Sequence, residues 1–216
     1  MDARRNFSAP EGACIQVKQE RLQEMNNKRL LNTVESLTRL MEGRAPGDDG
    51  VLDQAREVMS GLVAQDDWLA DAFAEPHPEF YRQYLLYGDP LDRFSLVSFV
   101  WGPGQKTPIH DHTVWGVIAM LRGAELEQHY RRSSGGMMAV GPEARLNEGE
   151  VSCVSPTIGD IHRVSNAYAD RVSISIHLYG GNIGRIHRSV YDPQSAEPKG
   201  FVSGYSNALT PNLWAG

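Results

Sequence analysis

The stretch GQKTPIHDHTVWGVIAMLRG, residues 104–123, decides how the chain is read. Glycines bracket it, and between them an apolar run from Val114 to Leu121 has the length of a strand and is far too short to cross a bilayer. His110 and His112 stand two positions apart. In extended chain both imidazoles then point to one face and Asp111 to the other. Two imidazoles on one face can share a metal ion. A third ligand must come from a different strand, because one strand cannot surround an ion.

Outward from this stretch the same grammar continues. FSLVSFVW (94–101), AELEQHY (124–130), EVSCVS (150–155), DIHRVSN (160–166), VSISIHLY (172–179) and SVYD (189–192) are short strand-type segments. Gly, Pro, Asp and Asn separate them at short intervals, the signature of an antiparallel sandwich or barrel. The N-terminal part reads differently. Leu22, Met25, Leu30, Leu31, Val34, Leu37 and Leu40 recur near helical spacing until Gly43 and Pro46 stop the run. A second helix is expected over 51–64. A third is expected after Asp66 or Asp67, interrupted near Pro76 and Pro78 and resuming from Phe80 to Leu86.

The expected architecture is therefore mainly β: a jelly-roll-like barrel preceded by a helical segment, forming one domain overall. Its parts are a flexible arm at 1–15, helices packed on the barrel at 16–90, the barrel at 91–192, and an extended tail at 193–216. The 216 residues suit one such domain. The net charge of −6 and the lack of a Lys/Arg run argue against nucleic acid. The N-terminus has no apolar core of a secretory signal, and the two cysteines, Cys14 and Cys153, form no C-x-x-C pair. A soluble cytoplasmic protein with no membrane partner is expected, a monomer or a small homo-oligomer.

His162 is the best third ligand, because it follows the turn Pro156–Asp160 and begins a short strand. Gly104, His110, His112 and Gly123 resemble the first motif of the cupin superfamily. Gly149, Pro156, Gly159, His162 and Asn166 resemble the second, with one extra residue in two gaps. The glutamate usual in the first motif is replaced by Gly116. Three neutral imidazoles and no protein carboxylate leave a divalent ion its full charge, suited to a thiolate or carboxylate ligand. They also disfavour a two-histidine-one-carboxylate site. Three histidines bind catalytic zinc as well, so the ligand type alone does not choose the metal.

Ser175, His177 and Tyr179 lie at alternate positions of one strand and share a face, either toward solvent or toward a polar cavity. In a cavity they form a hydrogen-bond relay. With HDHT, LRG, HRVSN and SIHLY, this set resembles the thiol dioxygenases, the cupin family that contains cysteine dioxygenase and 3-mercaptopropionate dioxygenase. The resemblance covers most of residues 80–190.

It implies ferrous iron, Fe(II), on His110, His112 and His162, an outer triad of Ser175, His177 and Tyr179, and addition of O2 to a small thiol carboxylate. Animal members crosslink a cysteine to the active-site tyrosine; Gly116 stands at that position and no crosslink is expected. The carboxylate-binding arginine of those enzymes is matched by Gln83, as in the bacterial glutamine type, with Arg82 one residue away. Arg188 then matches the arginine that serves the carboxylate. 3-Mercaptopropionate is the expected substrate, with L-cysteine as the alternative. A zinc-dependent isomerase or hydrolase and a non-catalytic metal-binding cupin are the readings from other classes. Trp115, Val114 and Phe99 are candidates for apolar pocket walls.

Overall fold

The computed structural model describes residues 28–45 and 47–213. The expected arm at 1–15 and the first part of the first helix lie outside these residues. Helix α1 occupies 28–40 and buries Leu30, Val34 and Leu37, the 3.6-residue spacing of a one-sided helix. After a 3-10 turn capped by the Asp48 carboxylate, α2 (Leu52–Val63) buries Ala55, Met59 and Leu62 at the same spacing.

Eleven strands follow among the described residues: β1 (Arg82–Gly88), β2 (Ser95–Trp101), β3 (Ile109–His110), β4 (Gly116–Arg122), β5 (Ala124–Ser133), β6 (Gly136–Asn147), β7 (Val151–Val154), β8 (His162–Asn166), β9 (Ser173–Tyr179), β10 (Arg188–Tyr191) and β11 (Pro198–Phe201). They form two antiparallel sheets, β1-β2-β9-β4-β7 and β11-β10-β3-β8-β5-β6. This is the double-sheet cupin barrel with an N-terminal helical segment.

The central strands of the first sheet are buried on both faces, which is why β2 and β9 have no solvated residue. Leu96 and Val100 of β2, and Ile174, Ile176 and Leu178 of β9, pack with α1 and α2. The alternate residues Val97, Phe99, Trp101 and Tyr179 face the barrel interior. Period-two alternation thus separates a helix-facing core from an interior that can afford polar groups. Asn166 ties the end of the barrel shut: its Nδ2 donates to the carbonyls of Trp101, Gly102 and Arg171, and its Oδ1 accepts from Ser173 Oγ. Gly123 has φ +76°, and a Cβ there would meet Ser173 Oγ at 2.5 Å, so the β4–β5 turn requires glycine.

Three boundaries differ from the sequence expectation. The segment after Asp66 holds only a 3-10 turn at Asp71–Phe73, and 80–86 is not helical. Arg82–Gly88 is instead an edge strand paired with β2, burying Tyr84 and Leu86 against the helices. Its Leu, Gln and Arg favour helix locally, but the ladder to β2 supplies backbone partners, and Tyr84 and Leu86 at alternate positions fit a pleated surface. The barrel therefore begins at Arg82, not at 91. The tail from 193 is not merely extended, because Pro198–Phe201 adds a strand to β10.

Candidate active site

β3 and β8 pair so that His110 lies directly opposite His162. That single register position joins the two histidine motifs across 52 residues of sequence. His112 follows just past the end of β3, in a turn where the Asp160 carboxylate accepts the backbone N–H of His112 and of Thr113. Thr113 has φ +61°, an unfavourable angle for a β-branched residue that these bonds hold in place.

The three rings converge, with centroids 4.8, 4.9 and 4.8 Å apart. One ring nitrogen from each lies within 4.8 Å of the others, and all three residues are buried. Each Nδ1 is engaged outward: His110 with the Pro108 carbonyl at 3.1 Å, His112 with Asp160 Oδ1 at 2.9 Å, and His162 with Glu127 Oε1 at 2.6 Å. Each Nε2 is therefore the inward lone pair, the tautomer a metal ligand needs. Burial, and then the neighbouring imidazoles, push His110 and His112 well below the ordinary histidine range, so both rings stay neutral. No carboxylate joins the cluster among the described residues. The donor set fits a divalent metal bound by three neutral nitrogens with positions left open.

Gly116 explains the missing glutamate. A Cβ at that position would meet the Tyr179 ring at 3.0 Å and Val154 Cγ2 at 3.2 Å. A side chain from β4 would crowd the phenol, which would have to give by a few tenths of an ångström. Gly116 carries no thiol to bond the Tyr179 ring, and Cys153, free among the described residues, packs with the helix-facing core.

Sequence reasoning missed the carboxylates behind the three histidines. Burial pushes the Glu127 carboxyl up, but the hydrogen bond from His162 outweighs it and holds the carboxyl below the ordinary carboxylate range. Ser152 Oγ donates to it as well. The available signal was the inverted pattern of AELEQHY, with Glu125 and Glu127 at alternate positions of a strand and both buried. Asp160→Asn is expected to lower metal affinity by about 10- to 100-fold. It should leave the melting temperature of the metal-free protein within a few degrees. Dialysis against a chelator with metal analysis reads the first, and a thermal melt the second.

Ser175, His177 and Tyr179 form a continuous relay in the interior: Ser175 Oγ is 2.8 Å from His177 Nε2, and His177 Nδ1 is 2.8 Å from Tyr179 Oη. Phe99 stacks on His177 at 4.1 Å, and Tyr179 stacks on His112 at 5.3 Å. Beside the histidines lies a cavity of about 280 Å³ reached by His110, Tyr179, Gln83, Phe99 and Arg188. Of the three candidate wall residues, Phe99 lines this cavity. Trp115 is buried in the helix-facing core, and Val114 lies at a separate surface depression.

Gln83 donates from Nε2 to the Gly204 carbonyl, and Arg188 donates from Nη2 to Ser203 Oγ at 2.6 Å. The chain after β11 thus anchors both. Arg188 is buried, and its Nε has no hydrogen-bond partner. Arg82 lies one position off the face of Gln83, with its guanidinium 5.9 Å from the Tyr84 ring, and is not among the cavity residues.

Residues 49–192 match the family model described as Cysteine dioxygenase type I. Cysteine dioxygenase type 1 of Danio rerio is 25% identical over 153 residues, covering 68% of this chain and 74% of that protein. The Homo sapiens protein of the same name is 24% identical over 191 residues, covering 85% and 92%. A solved cupin superfamily protein from Desulfitobacterium hafniense is similar with TM-score 0.42 and 13% identity, covering 55% of this chain and 94% of that one.

Proposed function

The chain belongs to the cysteine dioxygenase type I family of cupin thiol dioxygenases, and from that premise we propose that it uses ferrous iron to convert 3-mercaptopropionate to its sulfinate with O2. The observation that carries the metal assignment is the convergence of His110, His112 and His162 with every Nδ1 engaged outward. Iron held by His110, His112 and His162 would supply Lewis acidity toward a thiolate and the redox chemistry toward O2 that zinc lacks. The balance is one thiol and one O2 to one sulfinic acid, with both oxygen atoms added to sulfur.

The chain's own residues do the rest. The buried Arg188 guanidinium pairs with the substrate carboxylate, for which its unpartnered Nε is a ready donor. Phe99 forms an apolar wall of the cavity. Burial raises Tyr179 above the ordinary phenol range, so it stays protonated and can donate to developing negative charge on oxygen. Gln83 is held by the Gly204 carbonyl and shapes the cavity.

The choice of thiol rests on charge. The cavity carries Arg188 and Lys199, and none of its lining residues has a carboxylate. The carboxylate of either thiol is accommodated, whereas the ammonium of cysteine would face two cations with no acid to pair it. L-Cysteine is the second reading, favoured by the names of the relatives. Oxygen-electrode assays of iron-loaded protein should give thiol-dependent uptake, with kcat/KM for 3-mercaptopropionate at least about tenfold above that for cysteine, about 1.4 kcal/mol. No thiol-dependent uptake rejects the dioxygenase; the reverse preference rejects the substrate. Tyr179→Phe should retain iron and lose about 10- to 100-fold in kcat; unchanged kinetics would make the relay structural.

A further inference from the structure

The relay does not end at Ser175. Glu125, on β5 and 1% exposed, places Oε1 in a very short hydrogen bond with Ser175 Oγ. The Trp101 indole N–H also reaches Ser175 Oγ, at 3.1 Å. Four side chains from two facing sheets thus form one line from a buried carboxyl to the phenol in the cavity: Glu125, Ser175, His177, Tyr179.

Proton counting along this line leaves two arrangements. Ser175 has a single hydroxyl proton and can donate to Glu125 or to His177, not to both. The indole only donates, so it cannot take that proton. Burial, and then the nearby His112 and His162, hold His177 well below its ordinary range, so the ring is neutral with one N–H and one lone pair. If Glu125 is a carboxylate, Ser175 donates to it, His177 Nε2–H donates to Ser175, and Nδ1 accepts the phenol proton. Tyr179 then has no proton to offer the cavity. If Glu125 is a carboxylic acid, it donates to Ser175, Ser175 donates to His177 Nε2, and His177 Nδ1–H donates to Tyr179 Oη. The phenol proton is then free for the cavity.

Resting on the thiol dioxygenase reading above, we propose that Glu125 is a positioning residue that, as a neutral acid, sets the direction of the relay so that Tyr179 donates into the substrate cavity. Its surroundings favour that form. Burial pushes the carboxyl up to about 8, the Ser175 hydrogen bond opposes this, and the Glu127 carboxylate adds to it. The titratable groups facing Glu125 are Glu127 on its own strand and, through the relay, His177 and Tyr179 on β9. Among the described residues no cation is one of the groups acting on it. An acid kept neutral in order to donate is a recognised way of tuning an active site.

Wild type, Glu125→Gln and Glu125→Leu, all iron-loaded, carry the test. In the wild type, kcat should fall as pH rises through about 8, where Glu125 ionises and the relay reverses. Leucine removes the donor, so Glu125→Leu should lose about tenfold in kcat at neutral pH with KM and iron content within about twofold. Glutamine donates at every pH, so Glu125→Gln should restore most of that loss and lack the alkaline decline. Infrared difference spectra should show a protonated-carboxyl band in the wild type that vanishes over the same pH range and is missing from Glu125→Gln. The infrared readout needs no turnover, so an inactive wild type would reject the dioxygenase reading while the band still decides the state of Glu125. An alkaline limb unchanged in Glu125→Gln, or no protonated-carboxyl band in the wild type, overturns the proposal.

Discussion

Replacing His162 by alanine is expected to abolish stoichiometric iron retention and to cut thiol-dependent oxygen uptake below about 1% of wild type. The expectation follows from position as much as from ligand count. His162 is opposite His110 in the β3–β8 ladder, 1% exposed, and its Nδ1 is held by Glu127 at 2.6 Å. Without it the site keeps two imidazoles, and the third direction faces a void. Glu127 also loses its strongest partner while remaining buried, although the Ser152 hydroxyl still donates to it. Losing a hydrogen bond to a buried carboxylate costs about 1.5–3 kcal/mol, so the variant should also melt earlier. His162→Gln, whose amide can still donate to Glu127, should recover part of that stability without recovering iron. Metal analysis of anaerobically purified variants, alongside thermal melts, separates ligand loss from unfolding. A folded His162→Ala protein with one iron per chain would remove His162 from the ligand set.

Replacing Arg188 by methionine is expected to raise KM for 3-mercaptopropionate by about 10- to 100-fold. The guanidinium is buried by the cavity and lies 4.6 Å over the Phe201 ring, with Ser203 its only side-chain hydrogen-bond partner among the described residues. Among the described residues no carboxylate pairs with it, so a substrate carboxylate is the anion its position calls for. Hydrogen bonds to charged groups contribute about 1.5–3 kcal/mol, and 1.4 kcal/mol is a factor of ten in binding. Removing an unpaired buried cation also relieves desolvation. The melting temperature should therefore hold or rise, which distinguishes lost substrate binding from lost structure. A thiol without a carboxylate should be turned over no worse by Arg188→Met than by wild type. Unchanged KM for the carboxylate substrate would move that role elsewhere, with Lys199 the other cation at the cavity.

Much of the site was legible along single strands. The i, i+2 spacing of His110 and His112, and of Ser175, His177 and Tyr179, states which side chains share a face, because alternation is a local property of extended chain. The glycine-punctuated motifs marked β8 as the strand that brings His162. The one-sided pattern of Ala55, Met59 and Leu62 placed α2 within a residue or two of its observed ends.

What one strand's pattern could not state is what lies across from it. Whether the polar face of β9 met water or a cavity depended on α1 and α2 covering its other face and on the second sheet closing over it. Glu125, Glu127 and Asp160 became partners of Ser175, His162 and His112 only through contacts spanning 50, 35 and 48 residues. Arg82–Gly88 took extended form against its local helical preference because β2 offered it a ladder. The sequence by itself determined the strand-rich barrel and which side chains share a face of one strand, since these follow from periodicity and spacing within short segments, while the resemblance to the thiol dioxygenases singled out the three histidines and the Ser-His-Tyr relay. Only the tertiary structure decided the carboxylates that orient them, the close approach of the Tyr179 ring to Gly116, and the pairing of Arg188 with Ser203. Each of those depends on which distant strands meet, and that is set by packing of the whole chain rather than by any local preference.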